Sequence, residues 1–275
     1  MPGGLTFRTF SSKTEHARPA HSHAHGQFTY VRRGLIGLQT ETEVWINETN
    51  RLFWIPPGLT HASRSQGPVD GWLVLIPPEY AQALPQHVCV LHASPLLVAS
   101  LERLGTLKRR QHRIADLLLE LVQFELRQTR TEPLKLRLPS SARLLAWAMA
   151  FLEAPCIKTS IGDVASKVGM SRRAFTRHFH GQTGCTFSQW KRLAAVQRAT
   201  EMLAGGSSVT AIAFDLGYEN PSAFIAMFKE LRGAPPRQFL SAARDRAARG
   251  ARRMIGRDPG RRPSRLAASA ARTSG

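Results

Sequence analysis

The sequence predicts two domains: a β-barrel of short strands, then an all-α domain holding two helix-turn-helix units. Three observations predict this. Between about residues 20 and 80, short runs rich in β-branched and aromatic residues are separated by Gly, Pro or Asn. After Pro95 the apolar spacing changes to that of a helix. Within the helical half, one spacing pattern occurs twice. A length of 275 residues gives each domain enough chain to bury its own core.

The predicted strands are FTYV, LIGLQT, EVWI, RLFWI and GWLVLI, and they place a barrel domain at 1–94. Segment 95–138 is predicted as a helical linker and dimerisation region. In QHRIADLLLELVQFELR, Ile114, Leu117, Leu118, Leu121 and Val122 fall at helical spacing with charge on the other face. Such a stripe serves either packing within one chain or a homodimer. TEPLKLRLPSS reads as a connection, and Ser140 and Ser141 stand where they can cap the next helix. Residues 139–242 read as helical almost throughout. The tail at 243–275 is Arg, Ala, Gly, Ser and Pro with few large apolar residues, a composition that predicts disorder.

The internal repeat decides the reading of the helical half. Ile161, Val164, Ala165, Val168 and Gly169 have the same spacing as Val209, Ile212, Ala213, Leu216 and Gly217. Downstream, Phe175, Phe179, Gly184 and Trp190 match Phe224, Phe228, Gly233 and Phe239, with one extra residue in the second turn. Each copy reads as a helix-turn-helix. An apolar stripe defines the first helix, a small Ala permits a close crossing, and Gly permits the turn. Phenylalanines anchor the second helix from behind, which leaves its front free to enter a major groove. Ser171 and either Asn220 or Ser222 stand at N-cap positions, with Pro221 suited to the first turn. Residues 187–204 form a connecting helix about 27 Å long. It is long enough to set two recognition helices about one DNA turn apart, and its Lys191, Arg192 and Arg198 are available for phosphates.

Charge points the same way. The formal net charge is +19. Residues 1–138 carry 16 Lys/Arg against 11 Asp/Glu, residues 139–240 carry 12 against 6, and the tail carries 10 against 2. A surplus that grows toward the C-terminus suits a polyanionic partner and would add salt-sensitive affinity. No apolar run approaches a membrane span, and the first residues lack a signal-peptide core. Cys89, Cys156 and Cys185 are odd in number and far apart, as expected of reduced thiols in the cytoplasm.

SIGDVASKVGMSRRAFTRHFHGQTG followed by SVTAIAFDLGYENPSAFIAMFKELRGAPPRQFL resembles the DNA-binding domain of the AraC/XylS family of bacterial transcription regulators. The resemblance covers about 141–242 and implies binding to double-stranded promoter DNA through two successive major grooves. It also implies RNA polymerase as a partner if the protein activates. The implied DNA contacts are Ser171, Arg172, Arg173, Thr176 and Arg177 in the first unit, then Lys191 and Arg192 in the connecting helix. Asn220, Ser222, Ile225 and Lys229 complete the set. The front of the second recognition helix, with Ser222, Ile225, Ala226 and Met227, lacks the basic residue that many members place there. It is therefore expected to act through thymine methyls, phosphates and DNA shape.

HSHAHGQ, residues 21–27, sets His21, His23 and His25 on alternate positions, hence on one face of a strand. His21-x-His23 with Gln27 and Gly34, then Pro56-x-Gly58-x-x-His61, resembles the two metal motifs of cupin barrels, whose fold is the double-stranded β-helix. Here Gln27 takes the place of the carboxylate ligand, and a neutral amide binds a divalent cation more weakly. His25 falls outside the ligand pattern. The implied pocket is His21, His23, Gln27, Tyr30, Trp54 and His61, with His21, His23 and His61 as metal ligands if a divalent metal is held. No cofactor is required. The expected function is a non-enzymatic, sequence-specific regulator controlled by a small-molecule effector in the barrel. The alternative is a cupin-type metal-dependent enzyme fused to a DNA-binding module.

Overall fold

The computed structural model describes residues 4–65, 67–107, 111–128 and 135–239. The arginine-rich tail at 243–275, and residues 131–134 of the expected connection, lie outside the described residues. The chain opens with eight strands: β1 (Thr6–Ser12), β2 (His16–His21), β3 (Gly26–Arg33), β4 (Leu35–Thr40), β5 (Glu43–Glu48), β6 (Arg51–Ile55), β7 (His61–Ser65) and β8 (Val69–Ile76). A single turn α1 (Pro78–Ala81) precedes β9 (Cys89–His92), followed by α2 (Pro95–Gly105), α3 (His112–Gln128) and β10 (Leu136–Arg137). Six helices follow: α4 (Ala142–Glu153), α5 (Ile161–Lys167), α6 (Arg172–Thr183), α7 (Phe187–Ala204), α8 (Val209–Asp215) and α9 (Pro221–Arg232).

The strands make two five-stranded antiparallel sheets, ordered β1-β8-β3-β6-β9 and β10-β5-β4-β7-β2. Period-two alternation sorts their side chains. Leu38 and Trp45 of one sheet meet Phe53, Ile55 and Val90 of the other in the barrel interior. On the outer face of the first sheet, Phe28, Leu52, Trp54, Trp72 and Val74 share a core with Leu97, Leu101 and Leu104 of α2 and Leu119 and Val122 of α3. Helices α2 and α3 are thus part of the barrel's own packing. The expected stripe on α3 divides. Ala115, Leu119, Val122 and Leu126 are buried inside the chain, whereas Ile114, Leu117 and Phe124 face solvent.

Strands β1 and β2 escape the sequence reading because both are sheet edges. TFRTFSS is only half buried, and HARPAH is exposed nearly throughout and includes a proline, which an edge strand tolerates. Strand β10 has only two residues, but it pairs with β5 through Leu136↔Val44 and Arg137↔Glu43. The Leu138 N–H then donates to the Thr42 carbonyl at 2.7 Å. The connection between the domains is therefore sewn into the barrel.

The helical half repeats as its spacing predicts. Both units pair a 7-residue helix with a 12-residue helix. Gly169 and Gly217 turn between them at φ +69° and +82°, a region open to glycine at little cost. Phe175 and Phe179 of α6, and Phe224 and Phe228 of α9, are fully buried anchors. At α4 the expectation fails. The Ser141 side chain makes no capping bond. Instead Gln182 Oε1, from α6, accepts the N–H groups of Ser140 and Ser141 at 3.0 and 3.1 Å. Trp190 of α7 completes the first core. It is fully buried, packs within 5.8 Å of Trp147, Phe151 and Phe179, and donates Nε1–H to the Arg137 carbonyl at 2.7 Å.

Replacing Trp190 with Ala is expected to destabilise the chain by about 3–5 kcal/mol through cavity formation. Chemical denaturation followed by circular dichroism measures it, and a loss under about 1 kcal/mol would contradict this packing.

Candidate functional sites

The first site is the front of α6. Ser171, Arg172, Arg173, Thr176 and Arg177 are all exposed. Their roles differ. Ser171 caps the helix by accepting the Ala174 N–H at 3.2 Å. Arg172 lies back over α5, where a methyl group added to Gly162 would meet its guanidinium at 2.6 Å. Arg173, Thr176 and Arg177 are left facing outward, with Ile161 flooring a shallow hollow beneath them. On α9, Asn220 is the N-cap and accepts the Ala223 N–H at 2.9 Å, which settles the choice between Asn220 and Ser222. Ser222, Ala226 and Lys229 are exposed and Ile225 is half-buried, while Met227 is buried in the second core.

The connecting helix departs from expectation. Lys191 is buried and faces inward: its ammonium donates to the carbonyls of Ile157 (2.7 Å) and Thr159 (2.5 Å) and lies 5.1 Å from the Phe187 ring. Burial lowers its pKa against the opposing effect of Cys156. The Ile157 N–H donates to the Leu216 carbonyl at 2.9 Å, at the turn of the second unit. Lys191 therefore fastens one unit to the other and does not reach a phosphate. The cause is the three-sided burial of α7, which leaves no solvent face at this position. Arg192 pairs with Glu230 of α9, and Arg198 with Glu201 at 3.1 Å, so both are engaged within the chain.

The second site lies inside the barrel. His61 on β7 is buried and is the register partner of His21 on β2. His23 follows in the loop. The His61 ring centroid is 4.4 Å from that of His21 and 5.0 Å from that of His23. One ring nitrogen from each histidine lies within 4.8 Å of the others. His25 contributes its backbone: its carbonyl faces His23 Nδ1 at 2.5 Å. Burial lowers the His61 pKa, the Leu59 carbonyl opposes this, and His21, His23 and Arg18 reinforce it. Burial there disfavours the charged form of the ring.

Gln27 shares the inward face of β3 with Thr29, to whose Oγ1 it donates at 2.8 Å. Tyr30 and Trp54 do not line this space. Tyr30 is three residues from Gln27, so period two turns it to the opposite face. There it packs 5.2 Å from Trp72 and donates its hydroxyl to Asn50. Trp54 lies in the same outer core with its Nε1–H on the Pro85 carbonyl.

A third feature had no sequence signal. Between the outer face of the second sheet and helices α4 and α7 lies a cleft of about 180 Å³, bordered by Arg18, Arg64, Met149, Leu152, Arg198 and Glu201. Arg64 spans it, bonding Glu153 at 2.9 Å and Glu201 at 3.4 Å. Arg232 at the end of α9 pairs with Glu48 of β5, and Gln197 donates to the Val44 carbonyl. The two halves are joined by ion pairs whose members lie up to 184 positions apart, which no local pattern predicts.

Among the described residues, no helix is long and apolar enough to cross a membrane. The three cysteines are free thiols.

Comparison with known proteins covers both halves. A family described as the AraC-like ligand binding domain matches residues 4–142, and one described as a helix-turn-helix domain matches residues 164–242. The chain is 27% identical over 240 residues to the HTH-type transcriptional regulator NimR of Escherichia coli K12, covering 86% of this chain and 87% of that protein. Over 104 residues it is 30% identical to the HTH-type transcriptional regulator RipA of Corynebacterium glutamicum, covering 38% of this chain and 31% of that protein. Among solved structures, ToxT of Vibrio cholerae with bound unsaturated fatty acid aligns at a TM-score of 0.36 and 10% identity, covering 86% of this chain and 94% of that chain.

If Lys191 fastens the two units, Lys191→Met should cost about 1–3 kcal/mol of stability by leaving two part-buried carbonyls without their ammonium donor. The slope of log affinity for DNA against log salt should stay unchanged. A slope lower by about one would instead restore a phosphate contact.

Proposed function

Because the chain belongs to the AraC family of transcription regulators, with a ligand-binding domain ahead of a helix-turn-helix DNA-binding domain, we propose that α6 and α9 enter successive major grooves of promoter DNA and that an effector in the barrel controls their presentation. The carrying observation is the matched construction of the two units. Each recognition helix is capped at its start, anchored by two buried phenylalanines, and exposed along its front. Arg173 and Arg177 suit guanine O6 and N7, and Thr176 suits a thymine methyl. The front of α9 offers Ser222, Ala226 and half-buried Ile225, which favours shape and methyl readout over a hydrogen-bond code. Lys229 is the exposed cation of α9 suited to a phosphate.

The protein acts by binding rather than by catalysis, in keeping with the regulators it resembles. The halves 1–94 and 139–242 divide sensing from DNA reading. The solvent-facing row Ile114, Leu117, half-buried Leu121 and Phe124 on α3 repeats at intervals of three and four, the spacing of a helix seam with a second copy. Arg64 and Arg232, which tie barrel to helices, are the route by which effector binding reaches the DNA face. An effector shifts occupancy only if it binds two states of that junction unequally. Activation would add RNA polymerase as a partner.

Selection of genomic fragments by the full chain is expected to enrich a defined sequence. No enrichment over random fragments would defeat this reading. On an enriched fragment, Arg177→Ala should weaken binding by about 1–3 kcal/mol, whereas Ala226→Ser should change it little. Equal losses on scrambled DNA would show Arg177 to be a backbone contact.

A further inference from the structure

We propose that Glu48, on the barrel, is a positioning residue for the second recognition helix, so that the half of a DNA site met by α9 is read only while the barrel holds Arg232. The inference rests on the reading of α9 as a helix that enters a major groove.

The two units differ at one place in an otherwise matched pattern. Phe179, Gly184 and Trp190 correspond to Phe228, Gly233 and Phe239, which sets Thr183 against Arg232 as the last residue of each recognition helix. Thr183 is buried and closes on its own unit, its hydroxyl donating to the Phe179 carbonyl at 2.7 Å. Arg232 reaches out of its unit and pairs with Glu48, the last residue of β5. Both side chains of that pair are only 9% exposed. A guanidinium so far out of water is tolerated only with its countercharge in place.

The aromatic residue that closes each unit differs in the same way. Trp190 is held by Trp147 and Phe151 of α4 and by its indole bond to the Arg137 carbonyl. Phe239 meets the Phe228 ring at 5.6 Å and carries the Arg232 guanidinium 4.6 Å from its ring centre. A cation over a ring contributes most where water is excluded. The second unit is thus closed by a cation whose countercharge belongs to the other domain.

Glu48 is itself firmly placed. It pairs in register with Leu35 of β4, and Arg51 Nε lies 4.0 Å from its carboxylate. The corner after it is tied down: Thr49 Oγ1 donates to the Gly34 carbonyl at 3.2 Å, and the Asn50 N–H to the Val31 carbonyl at 2.8 Å. A carboxylate on so fixed a corner can set where a helix ends. Helix α9 is held at its start by the Asn220 cap, along its back by Phe224 and Phe228, and at its end by Arg232. Releasing the end lets the helix tilt about its phenylalanines. Readout by shape and methyl contact needs close apposition to the groove, so a tilt removes it. At the same position α6 has no such dependence, because Thr183 is satisfied within its own unit.

The test uses the full-length chain on an enriched genomic fragment and on copies with one half scrambled. The half at which Arg177→Ala abolishes discrimination belongs to α6, and the other to α9. Scrambling the α9 half should cost wild type at least about fivefold in affinity, the low end for a mismatched pair. In the Glu48→Gln chain the same change should cost about twofold or less, since a loosened site no longer discriminates by contact. Scrambling the α6 half should cost both chains equally. Glu48→Asp should restore part of the α9-half penalty. Glu153→Gln, which breaks a barrel pair that does not involve α9, should leave that penalty unchanged. Arg232→Gln serves as a second variant if Glu48→Gln folds poorly, as judged by its thermal midpoint beside wild type. An α9-half penalty equal in wild type and both variants would overturn the proposal and leave the DNA-binding reading standing. Loss of the penalty in Glu153→Gln as well would overturn it too, by showing a general loosening of the junction. No penalty in wild type would instead show that α9 does not read DNA, and the proposal would fall with that reading.

Discussion

The burial of α7 on three sides is the constraint from which the arrangement follows. Trp190 and Ala194 complete the core of the first unit, while Ala195, Val196, Ala199 and Leu203 complete that of the second. Gln197, Arg198 and Glu201 lie against the barrel. A helix with apolar contacts on two sides and a polar third side can hold only one relation among three bodies. Its small residues let the neighbours approach closely, and close approach requires the buried polar groups to be matched. The Arg64 pairs with Glu153 and Glu201 provide part of that match. They span the junction at partial exposure, where an ion pair contributes modestly to stability and more to register.

The helical half was legible because helix signals are local. Stripe spacing, capping residues and turn glycines all lie within a dozen positions of one another. The bounds of α7 and the caps of the two recognition helices therefore agree with the sequence reading. The barrel was legible only where strands are central. FTYV and LIGLQT announce themselves by their buried residues, whereas β2 and β10 are strands by virtue of their neighbours alone. Ser141 shows the same limit at a cap: the residue is correct, but its work is done by Gln182, 41 positions away.

For the sites, residue type was readable and direction was not. The three histidines were readable as a group because two lie two residues apart and the third lies in a recognisable turn motif. Tyr30 and Trp54 looked equally suitable, and only the parity of their positions against Gln27 sends them outward. Lys191 is the sharpest case. A lysine on a helix of a basic domain reads as a phosphate ligand until the neighbouring loop presents two bare carbonyls to it. Charge counts what a domain carries, whereas burial decides where the charge is spent.

Strand β10 bears on how such a protein can be taken apart. Two residues of the inter-domain segment close one edge of the second sheet, and the next residue donates to the Thr42 carbonyl. The join is therefore shared property and not a hinge between finished modules. A chimera that grafts a foreign DNA-binding half after Leu138 keeps this edge closed but loses the Gln182 cap and the Gln197 contact with Val44. One cut before Leu136 leaves the barrel with an open backbone edge, a template for pairing with another chain. Exchange of halves between relatives is thus restricted to donors whose α7 can meet this barrel's outer face.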